Sequence, residues 1–78
     1  MDAIKLINNQ IIKEKACIDD LVKEVAIHTQ DGRYQLAADR GRDMQNSIIR
    51  IQQLERQKEL YLYAVDLVSK NNREVINL

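Results

Sequence analysis

The feature that most constrains this chain is a pair of apolar patterns with helical spacing, divided by one turn signal. Residues three, four or seven positions apart lie on one face of an α-helix, so each pattern predicts a helix: one over about residues 3–28 and one over about residues 33–70. The apolar positions of the first pattern are Ile4, Ile7, Ile11, Ile18, Leu21 and Val25. Those of the second are Ala37, Met44, Ile48, Ile51, Leu54, Tyr61, Leu62, Val65 and Val68.

The turn signal is the segment His28–Gly32, which contains one of only two glycines in a chain without proline. Glycine tolerates the left-handed conformation that ends helices, and Asp or Thr can cap the helix that follows. Two amphipathic helices with so short a connection pack as antiparallel neighbours, because neither can bury its apolar face alone. The sequence therefore predicts an all-α fold, an antiparallel two-helix hairpin with a coiled-coil-like interface, in a single domain over residues 1–78.

A chain that folds back near Asp31 has a defined register, since the numbers of facing residues then add up to about 62 to 64. This places Glu14, a polar interruption of the first apolar pattern, near Arg50, and we also expect Asp2 to lie in the neighbourhood of Lys58. Both pairs are expected to be ion pairs at the edge of the interface. The expected apolar contacts join Ile7, Ile11, Ile18, Leu21 and Val25 to Met44, Ile48, Ile51 and Leu54.

The composition indicates a small interaction module. A chain of 78 residues with one cysteine cannot form an internal disulfide, and a core of this size supplies only a few kcal/mol, so a partner chain is expected to add stability. Twelve basic and twelve acidic residues are well mixed, which argues against a nucleic-acid or anionic membrane surface. The apolar runs are too short for a membrane span, and we interpret the chain as cytoplasmic.

Catalytic chemistry is not expected. The sequence has no phosphate-binding glycine loop, no pair of Cys or His residues at metal-ligand spacing, and only one histidine, so we predict a non-enzymatic protein without a cofactor or bound metal. Cys17 lies at the edge of an apolar face and is expected to be a small buried side chain. His28 is expected to interact with the helix dipole at the end of the first helix. The basic residues Arg33, Arg40 and Arg42 alternate with Asp31, Asp39 and Asp43, which should cancel their field.

The most apolar part of the chain, Leu60 to Val68, lies where the second helix outruns the first. In the expected register Ile4 meets the region of Leu60, so the hairpin itself cannot cover the residues that follow. A helix with apolar residues on two faces needs two neighbours, and Tyr offers a large contact area with a polar tip. We therefore predict partner binding by four residues at this end of the second helix, Leu60, Tyr61, Tyr63 and Leu67, together with Ile49, which lies nearer the turn on the same outer line as Leu60, Tyr63 and Leu67.

These features together resemble a known family. Five features carry the resemblance: an amphipathic first helix, a turn with Asp31-Gly32, Tyr34-Gln35 at the start of a second helix, an amphipathic stretch Ile48–Leu54 and the end Leu60-Tyr61-Leu62-Tyr63. In this combination the chain is similar to the small helical-hairpin co-chaperones of bacterial type III secretion systems. The resemblance implies that the hairpin stabilises a tetratricopeptide-like chaperone. It also implies that the pair keeps the needle subunit soluble before export, and it implies no catalytic residue.

Two alternatives remain. The needle subunit is itself a helical hairpin of similar length, but needle proteins typically have a proline-flanked loop at the turn and this chain has no proline. The second alternative is a structural homodimer, in which two hairpins bury their apolar ends against each other as a four-helix bundle. The chain could also self-associate when it is isolated from a partner.

Overall fold

The protein is a hairpin of two long α-helices. The computed structural model describes residues 2–76, with side chains described for residues 2–70. Helix α1 spans Ala3–Gln30 and helix α2 spans Tyr34–Ile76, and the two pack against each other in a rod of 71 × 18 × 12 Å. The predicted all-α hairpin is confirmed. Both helices end later than the sequence indicated, because the polar residues at their ends do not interrupt a helix as Gly or Pro would.

The turn between the helices is built around Gly32. Its φ of 76° lies in the left-handed region, which a residue with a Cβ atom enters only at a cost. The N–H of Gly32 donates to the carbonyl of Thr29 at 3.2 Å, and the N–H of Arg33 donates to the carbonyl of His28 at 2.8 Å. This pair of hydrogen bonds is a Schellman motif, which satisfies the last carbonyls of α1 and reverses the chain.

The start of α1 is capped by Asp2. Its Oδ1 accepts a hydrogen bond from the N–H of Ile4 at 3.1 Å, which satisfies one of the free backbone donors of the first turn. The sequence placed Asp2 near Lys58 as an ion pair, and that expectation is wrong: the described side chains include no ion pair between them. The carboxylate of Asp2 is engaged by the backbone of its own helix instead.

The interface between the helices is narrow. Four described side chains are buried in it: Ile11, Leu21, Ala37 and Ser47. Ser47, Leu54, Tyr61 and Val68 recur every seven residues along α2. Ala37, Met44, Ile51 and Val65 lie on a second heptad line three residues earlier, and the two lines form the face of α2 that packs on α1. The prediction that Ile48 packs in this interface is wrong, because Ile48 is 43% exposed and Ser47 takes the interior position. Ile48 lies one residue beyond the heptad line, which turns it toward the edge.

The predicted register is confirmed by two contacts across the hairpin. Glu14 pairs with Arg50, and Cys17 contacts Ser47, so that in each case the residue numbers add up to 64. Residue numbers rise along α1 while those of the facing residues fall along α2, so the two helices are antiparallel. The register also fixes which residue of α2 stands beside the first residue of α1.

A matched pair of neighbouring isoleucines tests the packing. Ile11 is 5% exposed and Ile12 is 64% exposed. Removing a buried isoleucine side chain leaves a cavity, so Ile11→Ala should lower the free energy of unfolding by about 2–4 kcal/mol, while Ile12→Ala should change it by about 0.5 kcal/mol or less. Thermal and urea unfolding followed by circular dichroism at 222 nm would measure both; equal effects would contradict the register.

The two glycines provide a second matched pair. A Cβ atom built on either Gly32 or Gly41 meets nothing within 4 Å, so only the backbone conformation distinguishes them. Gly32→Ala should cost about 1–2 kcal/mol because it forces alanine into the left-handed region. Gly41→Ala should stabilise the protein by about 0.5–1 kcal/mol, since Gly41 lies inside a helix. Unfolding temperatures that move in the same direction for both variants would contradict this account of the turn.

Candidate interaction surface

The two helices differ greatly in length. Helix α1 has 28 residues and α2 has 43. With facing numbers that add up to 64, the first residue of α1, Ala3, stands beside about Tyr61. The remainder of α2, residues 62–76, therefore extends beyond α1 by about 22 Å, and we call this segment the overhang.

The structure places all five predicted partner-binding residues at the surface. Ile49, Leu60, Tyr63 and Leu67 are exposed, and their spacing puts them on one line of α2 that points away from α1. We call this line the outer face. Tyr63 is 64% exposed and is therefore a large aromatic side chain with most of its surface open to water. The fifth residue, Tyr61, is also exposed but lies on the opposite face, in the heptad line that meets α1.

The overhang has a second apolar surface, which we call the inner groove. It is a shallow cavity of about 250 Å³ lined by Tyr61, Ala64, Val65, Val68 and Ser69. Val65 follows Ile51 by two heptads, and Tyr61 and Val68 follow Leu54 by one and two heptads, so the groove continues the face of α2 that packs on α1. It is empty because α1 has already ended. The sequence predicted that α1 would not reach these valines, and the lengths and register of the two helices confirm that α1 ends before it could cover them.

In the part of the overhang whose side chains are described, residues 62–70, the two charges are of opposite sign and paired. The charged residues Asp66 and Lys70 form an ion pair on the same helix, with 3.3 Å between Oδ2 and Nζ, and neither lines the inner groove. A surface of this kind favours apolar contact with another helix over the binding of a charged ligand.

The middle of the hairpin interface contains a polar cluster instead of an apolar layer. The Nε of Arg50 donates to Oε1 of Glu14 at 2.9 Å, and a terminal nitrogen of Arg50 donates to the hydroxyl of Ser47 at 3.2 Å. The Ser47 hydroxyl also lies 3.8 Å from the sulfur of Cys17. The second carboxylate oxygen of Glu14 is buried without a hydrogen-bond partner. This ion pair, anticipated from the register, joins α1 to α2 at a fixed point.

The cluster changes the titration of Glu14. The hydrogen bond from Arg50 holds the pKa of the Glu14 carboxyl below its ordinary value, while partial burial acts in the opposite direction. The Ser47 hydroxyl and the positive charge of Arg50 lower the pKa further. The cleft beside the cluster is open and lined mainly by long polar side chains, among them Gln10, Lys13 and Gln53.

The remaining candidates from the sequence form no reactive site. Cys17 is exposed, so the expectation that it would be buried is wrong. His28 lies in the last turn of α1, where a helix dipole favours a positive charge, and its Nδ1 atom is buried without a hydrogen-bond partner. Among the side chains of residues 2–70, no three His, Cys, Asp or Glu residues gather in a group that could hold a metal ion.

Two of the three arginines near the turn, Arg40 and Arg42, are paired with neighbouring carboxylates. Arg40 pairs with Asp43 at 3.1 Å, and Arg42 pairs with Asp39. The hydrogen bonds from Arg42 and then from Gln35 lower the pKa of the Asp39 carboxyl. In the described part of the chain, neither helix has the length of apolar sequence that crossing a bilayer requires.

Comparison with known proteins gives no relative: no family model, no curated protein and no solved structure matches this chain. The interpretation of its role therefore depends on its own residues and geometry.

The Glu14–Arg50 ion pair predicts how the stability of the fold depends on pH. A carboxyl with a lowered folded pKa stabilises the fold fully above its unfolded pKa, about 4.3 for glutamate, and this contribution disappears as the pH falls through the folded pKa. Glu14→Gln removes the charge and keeps the shape. We expect the variant to unfold at a lower temperature than the parent protein at pH 7 and the difference to shrink toward pH 3.

Asp39→Asn serves as the comparison, because Asp39 also has a lowered pKa but pairs within α2 and does not link the helices. Its effect at pH 7 should be smaller than that of Glu14→Gln. A Glu14→Gln difference that stays constant from pH 7 to pH 3 would show that the Glu14–Arg50 pair does not contribute.

Proposed function

We propose that this chain is a non-enzymatic binding module, a helical-hairpin co-chaperone that covers apolar helices of another protein. The observation that carries the proposal is the overhang, where α2 presents apolar side chains on two faces without a neighbour from its own hairpin. Exposed apolar surface that is continuous over several helical turns is typical of a protein interface.

The total exposed surface supports a binding role. The chain exposes 6341 Å², whereas a compact monomer of 9.1 kDa is expected to expose about 4,900 Å². The excess of about 1,400 Å² exceeds the roughly 800 Å² that each partner buries in a standard interface. The rod-like hairpin therefore has enough uncovered area for a stable complex, and five of the fifteen exposed large hydrophobic side chains lie on the overhang.

The chemistry of the outer face suits a helical partner. Tyr63 can bury its ring and keep its hydroxyl at the edge of the contact, and Leu60 and Leu67 flank it one turn away on each side. Helix binding through residues spaced by three and four positions is a common mode of recognition. Ile49 extends the same line toward the turn, so a longer partner helix could follow α2 past the overhang.

The resemblance described above makes the proposal more specific. It implies that the partners are a tetratricopeptide-like chaperone and the needle subunit of a type III secretion system, with the complex formed in the cytoplasm before export. The neutral, well-mixed charge of the chain is compatible with this role, since the contact would be mainly apolar. Genes of a secretion apparatus beside the gene of this chain would favour the proposal.

Mutation of the outer face provides the direct test. The chain would be co-expressed with a tetratricopeptide-like protein and a needle-type subunit encoded nearby, and the affinity of the purified proteins would be measured by calorimetry. Truncation of buried aromatic and leucine anchors typically costs about 2 kcal/mol or more, so Tyr63→Ala with Leu67→Ala should weaken the complex by well over tenfold. Helicity should remain close to that of the parent chain, because both residues are exposed.

The matched control is Ile12→Ala with Ile27→Ala, two exposed side chains on α1. This variant should bind as the parent does. Loss of affinity in the control, with retention in the Tyr63 and Leu67 variant, would place the binding surface on α1. Absence of binding between the parent chain and both candidate partners would contradict the secretion role.

A further inference from the structure

The overhang has more apolar surface around its circumference than one neighbouring helix can cover. We propose that it inserts as a single helix into an apolar cleft of its partner, between two partner helices that do not touch each other. In this arrangement the edge of α2 that carries Asp66 and Lys70 faces the solvent. The inference rests on the proposed binding role of the outer face and adds the inner groove to the same contact.

The apolar side chains of the overhang form one continuous arc. Successive residues of a helix are about 100° apart, so the outer face and the inner groove are centred about 130° from each other. Ala64 lies midway between them, and the apolar arc extends without interruption from Tyr63 to Val65 over about 200°. An arc of this width fits a concave groove, which is a common way for one protein to bind a helix of another.

The remaining part of the circumference carries the charges. Glu59, Asp66 and Lys70 lie within about 40° of one another, on the side of α2 opposite Ala64. The side chains of Asp66 and Lys70 are 62% and 65% exposed. Leu62 lies between this charged edge and the inner groove. Burial of the charged edge would be costly, whereas its hydration costs nothing, so this edge marks the opening of the cleft.

Helix packing distances set the width of the cleft. Packed helices have axes about 8–10 Å apart, so two helices that cover faces about 130° apart stand roughly 15–18 Å from each other. They cannot pack directly, and a space about one helix wide separates them. A second copy of this chain offers no such space between its helices, because α1 and α2 pack directly against each other. The partner is therefore a different protein with a concave helical surface.

Continuity with the hairpin interface defines the chemistry of one wall of the cleft. The inner groove lies on the two heptad lines of α2 that already pack on α1, where Ile11 and Leu21 are buried. A partner helix that continues the line of α1 should therefore present aliphatic side chains at the same heptad spacing and end beside Ala3. Among the described residues no charged side chain lines the inner groove, so this wall needs no charge.

Cysteine accessibility tests the cleft in the complex itself. Leu67→Cys, Val68→Cys and Asp66→Cys, all at exposed positions, would each be made with Cys17→Ser. Each chain would be saturated with the tetratricopeptide-like protein and the needle-type subunit, and alkylation by iodoacetamide would be followed by mass spectrometry. Binding should slow alkylation of the Leu67→Cys and Val68→Cys thiols by about tenfold or more, because a buried thiol reacts only when the contact opens. The Asp66→Cys thiol, at the charged edge, should change by about twofold or less.

Added bulk at the middle of the apolar arc provides a second test. Ala64 is exposed in the free chain, so Ala64→Leu should leave helicity and unfolding temperature unchanged. In a filled cleft the larger side chain should weaken the complex by about tenfold or more, since overpacking a closed contact is unfavourable. Asp66→Leu is the matched control, because it adds the same side chain at the charged edge, and it should change the affinity by about threefold or less.

Three results would overturn the cleft. The first is a complex that protects the Leu67→Cys thiol and leaves the Val68→Cys thiol as reactive as in the free chain, which indicates docking on the outer face alone. The second is an Ala64→Leu variant that binds as the parent does. The third is protection of the Val68→Cys thiol in the isolated chain as its concentration rises, which would assign the inner groove to a second copy.

The outer face provides the comparison that separates this inference from the proposed function. If one of these three results appears while Tyr63→Ala with Leu67→Ala still weakens the complex, the proposed function stands and the cleft is wrong. A parent chain that binds neither candidate partner overturns both.

Discussion

The turn at Gly32 determines the rest of the structure. By reversing the chain at one position, it fixes the register of α1 along α2 and therefore the point at which α1 ends beside α2. Because α2 is the longer helix, every residue beyond about Tyr61 is left without a partner from the same hairpin. The uncovered apolar surface thus follows from a backbone conformation that only a glycine adopts easily, far away at the other end of the rod.

The polar cluster at Glu14 and Arg50 lowers the stability of the interface but helps to fix its register. An apolar layer at this point would bury more hydrocarbon, and one oxygen of Glu14 is left without a hydrogen-bond partner. In return, a charge pair joins the helices only when Glu14 and Arg50 are opposite each other. A shift by one heptad would keep the apolar positions in phase but separate the pair, so the cluster favours a single register.

The sequence predicts most of the architecture and less of its detail. Helical spacing and a single glycine turn are local signals, which is why the two helices, their antiparallel packing and the contact of Glu14 with Arg50 are predicted correctly. Local sequence signals do not decide which of Ser47 and Ile48 is buried in the interface. Both lie near the interface line, and hydrophobicity alone favours Ile48, whereas the continuous heptad through Leu54 and Tyr61 places Ser47 inside.

The candidate surface was predictable in part, because it too depends on local signals in the sequence. An apolar end rich in tyrosine is evident from composition, and its exposure follows from the unequal helix lengths. The separation of this end into two apolar faces follows from helical spacing alone, which sets Leu60, Tyr63 and Leu67 apart from the line of Tyr61, Val65 and Val68. The identity of a partner depends on the surface of the partner as well, and the fold of this chain alone does not determine it.

The overhang also has a thermodynamic consequence. A lone helical segment of about 15 residues is only marginally stable in water, since helix formation is cooperative and each short helix lacks tertiary support. The helical order of the overhang is therefore coupled to the part of α2 that α1 holds and to any helix that covers the overhang. Binding would then add helical order as well as contact area, and some of the contact energy would offset the entropy of ordering. A complex formed in this way would have a lower affinity than its contact area suggests.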